Sequence, residues 1–325
     1  MRAQTPRSRA TPPTMRRLLL LLAPLVLSCR DSSASTGQTS FDGGTALGYV
    51  KTQLDFGPRI PGSEGHRRTG DWIVGEMRRR ADTVLVQEWT HVTARGDTLP
   101  LRNVIARFRP ELKDRVLYVT HWDTRPTSDE AADPLQRQLP VPGANDGASG
   151  VALFLAIGDA LKKGPPQQFG VDLLFVDGED YGDFSKDQDV LIGSKYFAEH
   201  LPSPDYRPVF GVLWDMIGDR ELQIFQEENS VNAAPEVVAR VWQQAADLGY
   251  AGYFIPQVKY PVTDDHIPLI KAGLRVIDVI DYDYPRAPRE GEARVNYHHT
   301  PEDRLDKVSA KSLQIVGDVA IKLVQ

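Results

Sequence analysis

The sequence predicts a three-layer α/β/α fold, in which helices cover both faces of a central, mixed and mostly parallel sheet. Apolar segments of strand length alternate with amphipathic segments of helical length through most of the 325 residues, which is typical of parallel strands joined by helical crossovers. The composition, 41% hydrophobic and 25% charged, is ordinary for a globular protein. Ligands of such folds bind outside the carboxyl ends of the strands, so we expect the functional residues there.

The predicted strands are short apolar runs, and the predicted helices carry apolar residues at helical spacing. We predict strands over residues 84–89, 103–108, 116–120, 171–176, 209–213 and 275–280. We predict helices over residues 66–80, 148–163, 191–200, 233–248, 266–272 and 305–323. Segment 116–120 is almost entirely apolar, which favours a central, parallel strand.

The N-terminus predicts export and lipid attachment. Arg16 and Arg17 precede ten apolar residues at 18–27, a run shorter than the roughly 20 residues that span a bilayer but typical of a signal peptide. The next residues, 26–29, read Val-Leu-Ser-Cys and resemble a bacterial lipobox, in which the cysteine, Cys29, is lipidated. Both Met1 and Met15 are candidate start residues.

These features predict three parts of the chain. We expect residues 1–29 to be a signal peptide with a lipobox, residues 30–44 to be a flexible tether rich in Ser and Thr, and residues 45–325 to form one domain. The lipid would anchor the protein in the bacterial cell envelope, facing the periplasm or the exterior.

Charge and cysteine content exclude several functions. Cys29 is the only cysteine, so an internal disulfide is excluded, and lipidation of Cys29 would exclude cysteine catalysis as well. Residues 29–325 carry 33 basic and 44 acidic residues, a formal charge of −11. This charge disfavours nucleic acid and anionic membrane surfaces as partners, so the lipid anchor is the expected contact with a membrane.

Residues 143–150, Gly-Ala-Asn-Asp-Gly-Ala-Ser-Gly, predict a tight turn that opens a helix. Asp146 is thereby held among small residues at a helix start. Its carboxylate, which is an acceptor only, suits a hard cation, but an aspartate at this position is also a common helix cap. Both interpretations remain open on this segment alone.

Acidic residues and histidines gather at the ends of the predicted strands. Taken singly, each has an ordinary explanation as a surface residue or, for Asp264 and Asp265, as the cap of a short helix. Together they predict one site at the carboxyl edge of the sheet. The residues that follow strands are His121, Asp123, Glu179, Asp180 and Asp215, and those in loops or at helix starts are Asp146, Asp264 and His299.

Seven motifs resemble, in the same order, those of the zinc-dependent peptidase family M28. They lie at 121–126, 143–150, 176–182, 192–194, 214–218, 263–268 and 299–300. They are most similar to the glutaminyl-peptide cyclotransferase branch of bacterial type, and the Thr-Asp-Asp-His-Ile-Pro motif at 263–268 is the one typical of cyclases. The resemblance covers roughly residues 45–325 and implies the phosphorylase/hydrolase-like fold of zinc exopeptidases.

The cyclase resemblance implies one zinc ion, bound by Asp146, Asp180 and His299, with a fourth position open for substrate. It implies that Glu179 is the general acid and base. It also implies that two further carboxylates, Asp215 and Asp264, hydrogen-bond near Glu179. The implied reaction converts an N-terminal Gln of a peptide or protein to pyroglutamate and releases ammonia.

Two alternatives remain open. In M28 aminopeptidases, which hydrolyse N-terminal residues, two zinc ions share the acid that Asp146 matches, and His121 and Asp215 would hold the second ion. The other alternative is a lipid-anchored binding protein without activity. The chain departs from the usual cyclase pattern at two positions, with His298 where a Trp precedes the ligand histidine and Phe184 where a Trp often lines the pocket.

Overall fold

A six-stranded sheet forms the centre of this computed structural model, which describes residues 1–3, 39–282 and 296–325. In chain order, the strands of the described residues are β1 (Thr83–Val92), β2 (Thr98–Phe108), β3 (Arg115–His121), β4 (Gly170–Val176), β5 (Phe210–Asp215), β6 (Ile224–Glu227), β7 (Phe254–Lys259) and β8 (Val276–Ile280). The central sheet has the order β1-β2-β4-β3-β5-β8, and β6 and β7 form a separate pair.

The directions of the strands confirm the predicted mixed, mostly parallel sheet. β3 pairs in parallel with β4 and with β5, and β5 pairs in parallel with β8. β1 and β2 are antiparallel, as are β2 and β4. Every residue of β3 is buried, as expected for a strand in the middle of a sheet that is covered on both faces.

Helices cover the sheet on both faces, which confirms the three-layer prediction. The helices are α1 (Gly43–Phe56), α2 (Glu64–Arg78), α3 (Ala148–Lys163), α4 (Ile192–Glu199), α5 (Glu228–Ala233), α6 (Pro235–Asp247), α7 (His266–Lys271) and α8 (Ala310–Lys322). Apolar residues of α1, α2, α3, α6 and α8 form the larger core cluster with one face of the sheet. Residues of α4 and α7 form a second cluster with the other face.

Residues Gly37–Gln325 form one compact unit. Of the other unit, Met1–Thr36, the structure describes residues 1–3. The predicted signal peptide and the lipidation of Cys29 therefore stay predictions. Among the described residues, no helix combines the length and apolar character needed to cross a membrane.

The predicted tether, residues 30–44, is too long at its C-terminal end. Phe41 is buried in the core beside Gly317 of α8. Asp42 caps α1, because its carboxylate accepts a hydrogen bond from the backbone N–H of Thr45 at 3.0 Å. Residues 39–44 thus belong to the folded unit.

Three helix predictions need correction. The closing helix α8 begins at Ala310 rather than at residue 305, because Ser309 is extended and its hydroxyl caps the helix at Ser312 N. The predicted helix over 233–248 is interrupted at Ala234, where α5 ends and α6 begins with a proline. Asp265 does not cap α7 through its side chain, which instead accepts a hydrogen bond from the hydroxyl of Ser194.

The turn before α3 brings this helix directly against the ends of β3 and β5. Gly147 has φ 45°, the left-handed conformation that glycine adopts readily. A Cβ at Gly150 would lie 2.7 Å from the carbonyl oxygen of Trp214 and would also overlap the hydroxyl of Thr120. The close approach of α3 therefore depends on glycine at position 150.

We expect Gly150→Ala to lower the free energy of unfolding by about 1–3 kcal/mol, because the added methyl group overpacks this contact. Chemical denaturation followed by circular dichroism measures the change. Gly48→Ala in α1 is the matched control, since a Cβ there has no neighbour within 4 Å. That variant should gain about 0.5–1 kcal/mol from helix propensity. Equal effects of the two substitutions would contradict the packing argument.

Candidate metal centre and active-site cleft

The carboxyl ends of β3, β4 and β5 open into a cleft of about 540 Å³. His121 and Val176 are paired at the ends of β3 and β4, and Asp215 ends β5. The predicted site residues that line the cleft are Asp146, Glu179, Asp180, Asp215, Asp264 and His299. His121 is fully buried in contact with Asp146 and Asp215. The structure therefore brings together all the predicted residues except Cys29, which lies outside the described residues.

Asp146, Asp180 and His299 converge at one point of the cleft, with one ligand atom from each lying within 4.8 Å of the others. The Nε2 atom of His299 lies 3.3 Å from Asp180 Oδ1 and 3.5 Å from Asp146 Oδ2. The other oxygen of Asp180, Oδ2, is buried and has no hydrogen-bond partner among the residues that the structure describes. Two carboxylates and an imidazole are a suitable ligand set for a catalytic zinc ion, and an unpaired buried carboxylate oxygen fits a cation at this point.

A second group of potential ligands shares Asp146 with the first. It consists of His121, Asp146 and Asp215, whose ligand atoms also lie within 4.8 Å of one another. His121 Nε2 is 3.0 Å from Asp146 Oδ1 and 3.1 Å from Asp215 Oδ1. Burial acts to lower the pKa of His121, but the carboxylates of Asp215, Asp123 and Asp146 outweigh it and raise that pKa well above its ordinary value. Asp146 thus directs its Oδ1 atom toward His121 and its Oδ2 atom toward His299.

Glu179 lies beside both groups and is buried. Burial raises the pKa of its carboxyl well above the ordinary value; the proximity of His121 acts in the opposite direction, and Asp264 and Asp180 add to the rise. Burial also raises the pKa of Asp264, and repulsion by Asp215 contributes. Glu179 and Asp264 are therefore disposed to hold a proton, which suits a group that must accept and return one.

Asp123 holds the loop that carries Glu179 and Asp180. Its two carboxylate oxygens accept hydrogen bonds from the backbone N–H groups of Glu179 at 3.0 Å and Asp180 at 3.2 Å. The sequence predicts that Asp123 lies near the site but does not indicate its function. Both N–H groups are buried, so the loss of the Asp123 carboxylate would leave two buried donors without acceptors. Asp123 therefore fixes the direction in which the two acids point.

Asp303 and Arg59 hold the loop that carries Asp146, and no sequence pattern indicates either of them. Asp303 accepts hydrogen bonds from the N–H groups of Asn145 at 2.8 Å and Asp146 at 3.0 Å. Arg59 is completely buried and donates to the carbonyl oxygens of Gly143 at 2.6 Å and Asp146 at 3.2 Å. Both residues lie far from this loop in sequence and outside the seven motifs.

His299 has a left-handed backbone, with φ 48°. This conformation costs about 1–3 kcal/mol for a residue other than glycine and is concentrated at functional sites. The preceding residue, His298, stacks on the His299 ring with centroids 3.7 Å apart. His298 and Phe184, the two departures from the cyclase pattern, both line the cleft.

These features define an α/β/α protein with a candidate metal centre at the carboxyl edge of its sheet. The chain belongs to peptidase family M28, which matches residues 103–324. The proteins that it resembles include some named as glutaminyl cyclases and others named as peptidases.

Solved structures match nearly the whole domain. Porphyromonas gingivalis glutaminyl cyclase is 36% identical, with a TM-score of 0.82 over 87% of this chain and 98% of that one. A zinc-dependent exopeptidase from Parabacteroides distasonis is 35% identical, with a TM-score of 0.81 over the same shares of the two chains. An aminopeptidase of Bacillus subtilis is 25% identical over 81% of this chain, which spans about half, 52%, of that relative's length. The fold is thus common to both activities.

Proposed function

We propose that the protein is a zinc-dependent glutaminyl-peptide cyclotransferase, which converts an N-terminal glutamine of peptides or proteins to pyroglutamate. One observation carries the proposal: Asp146, Asp180 and His299 converge beside a buried Glu179 in the cleft that Asp264 lines. The 36% identity to a bacterial glutaminyl cyclase over 87% of the chain supports it.

The residues Asp146, Asp180 and His299 would hold one zinc ion. When bound, zinc supplies a Lewis acid that polarises the side-chain amide carbonyl of the substrate glutamine. Asp180 Oδ2, which is without a hydrogen-bond partner in the described part of the chain, and the position of His299 Nε2 between two carboxylates support this choice of ligands.

Glu179 transfers the proton in the proposed reaction. It takes a proton from the substrate's α-amino group as that nitrogen bonds to the amide carbon of the glutamine side chain. Glu179 then gives the proton to the amide nitrogen, the carbon–nitrogen bond breaks, and ammonia leaves. Burial, together with the proximity of Asp264 and Asp180, favours the protonated form of Glu179 between the two transfers.

A second candidate function rests on the group formed by His121, Asp146 and Asp215. With a second zinc ion in that group, the same cleft would suit an aminopeptidase in which Glu179 activates a water molecule. The orientation of Asp146, with one oxygen toward His121 and the other toward His299, favours this arrangement as a bridging carboxylate.

One assay separates the two functions. The purified, zinc-loaded protein is incubated with one peptide that begins with Gln and one that begins with Leu, and mass spectrometry follows both. We expect the Gln peptide to lose the mass of one ammonia while the Leu peptide stays intact. Release of free leucine would overturn the cyclase proposal in favour of the aminopeptidase. No change in either peptide would contradict both and favour the binding protein.

Arg125 positions Asp180 in this proposal. Its Nη1 atom donates to Asp180 Oδ1 at 2.8 Å, and its Nε and Nη2 atoms each donate to Asp129 at 2.7 Å. Because guanidinium makes these contacts with one rigid plane, lysine cannot reproduce them although it keeps the charge.

We expect Arg125→Lys to weaken zinc binding by about tenfold, since partners that orient a metal ligand contribute on this scale. Competition with a chromophoric chelator measures the affinity. Arg67→Lys, in an exposed ion pair with Glu64 on α2, is the matched control and should leave the affinity unchanged. Equal affinities of the wild type and Arg125→Lys would contradict the positioning role of Arg125.

A further inference from the structure

One wall of the cleft carries a carboxylate that the proposed reaction does not use. Glu130 lines the cleft, and its side chain is 40% exposed. Asn296 Nδ2 donates to Glu130 Oε2 at 2.8 Å, and Glu130 Oε1 lies 3.1 Å from His298 Nδ1. Both carboxylate oxygens are therefore held in place, and the exposed side of the group faces the cleft.

Glu130 differs from the neighbouring exposed carboxylates of the cleft in its partners. Asp129 receives two hydrogen bonds from Arg125, each 2.7 Å long, and Asp183 pairs with Lys186 at 2.5 Å. Within the described part of the chain, the ion-pair partners of Glu130 are histidines rather than lysine or arginine. Among the exposed cleft carboxylates that the structure describes, Glu130 is thus the one whose charge a cationic ligand group can pair with at the lowest cost.

The position of Glu130 is next to the candidate metal centre but separate from it. Glu130 Oε1 lies 3.7 Å from His299 Nδ1, the ring nitrogen on the opposite side of the imidazole from Nε2, which faces Asp146 and Asp180. A residue of extended peptide spans about 3.3–3.6 Å. Glu130 is therefore within reach of the second side chain of a peptide whose first residue lies at the metal centre.

The negative charge of the cleft as a whole also favours a basic side chain on the substrate. Of the described residues, eight carboxylates line the cleft, together with Arg125 and two histidines. Even with a zinc ion bound, an acidic side chain on the substrate meets a negative surface, and a basic one meets a favourable potential.

We propose that Glu130 determines specificity for the residue that follows the N-terminal glutamine and favours lysine or arginine there. This inference rests on the proposed cyclase function and names its substrate class. His298, where a tryptophan is usual in cyclases, supplies the hydrogen bond that holds the Glu130 carboxylate in place.

The test compares three peptides that differ only at the second residue, which is lysine, alanine or glutamate. The kcat/KM of wild-type protein should be highest for the lysine peptide and lowest for the glutamate peptide. Glu130→Gln removes the charge and keeps the shape, so the preference for lysine over glutamate should fall by about two- to fivefold, the range of an exposed ion pair. Raising the salt concentration should reduce the wild-type preference in the same way.

The alternative function of Glu130 is to orient His299, and the same data separate the two. A uniform fall in kcat/KM for all three peptides, with their ratio unchanged, would overturn the specificity proposal. Glu236→Gln, which alters an exposed carboxylate on α6 that pairs with Arg275 outside the cleft, should leave the ratio unaltered. If wild-type protein cyclises the peptides without preference, this inference alone fails. If it cyclises none of them, the proposed function fails too.

Discussion

Glu179→Gln should lower the rate of cyclisation by about 100- to 10,000-fold, the usual contribution of general acid–base catalysis. Glutamine keeps the size and much of the hydrogen bonding of glutamate but cannot accept a proton from the substrate amine. The variant should bind zinc as the wild type does, because Glu179 is not one of the three converging ligands. Steady-state kinetics on a Gln-initiated peptide, together with metal analysis of the same sample, measures both properties.

Two controls make this prediction specific. Glu179→Asp retains a carboxyl group but withdraws it by one methylene, so it should recover part of the lost rate. Normal zinc content and thermal unfolding in Glu179→Gln would exclude misfolding as the cause of inactivity. A Glu179→Gln variant with full activity would contradict the proposed proton transfer.

His299→Asn should weaken zinc binding by more than about 100-fold, beyond the range that changes around a ligand produce. Asparagine tolerates the left-handed backbone that His299 adopts, so the substitution adds little strain. The variant should also lose the rise in melting temperature that zinc gives the wild type, since a ligand that binds the folded state stabilises it by mass action. Isothermal titration and calorimetry measure the two effects.

His121→Asn is the matched comparison, because His121 and His299 face opposite oxygens of the same Asp146 carboxylate. With one zinc ion held by Asp146, Asp180 and His299, His121→Asn should still bind one equivalent. Loss of zinc from His121→Asn but not from His299→Asn would contradict the proposed site. Loss of one of two equivalents in each variant would favour the two-metal aminopeptidase.

The sheet and the residues at its carboxyl edge could be predicted from the sequence because both depend on local patterns. β3 and β4 are mostly apolar, β3 ends at His121, and Asp177 follows β4, so each strand and the polar group at its end are recognisable together in the sequence. The turn before α3 is likewise encoded in a few adjacent small residues. Parallel strands then bring these groups to one edge, whatever the details of the helices.

Other elements could not be predicted, since their stability comes from distant contacts. α1 has only a narrow apolar face: its buried residues are Gly43, Ala46, Val50 and Gln53, of which two are small and one is polar. The short strands β6 and β7 have mixed polarity and lie outside the central sheet. The predicted closing helix begins several residues before α8 does. Residues 305–308 continue the apolar pattern of α8, but the cap at Ser309 separates them from the helix.

The supporting residues of the site were also beyond prediction. Arg59, Glu130 and Asp303 contact the site through chain segments far from the motifs they support. An arginine or an acid in a loop is ordinary in sequence, and only the folded chain shows that Arg59 is fully buried against backbone carbonyl groups. A residue that orients a metal-binding side chain is therefore harder to recognise in the sequence than the metal-binding residue itself.

A crystal structure of the zinc-loaded protein, with anomalous data collected on both sides of the zinc absorption edge, tests whether Asp146, Asp180 and His299 bind a single zinc ion. We expect one zinc peak bonded to these three residues at about 2.0–2.2 Å, with the carboxyl group of Glu179 beside it but not bonded to it. A structure in which zinc binds elsewhere, or in which a second peak of equal height lies between His121 and Asp215, would contradict the proposed single-zinc site.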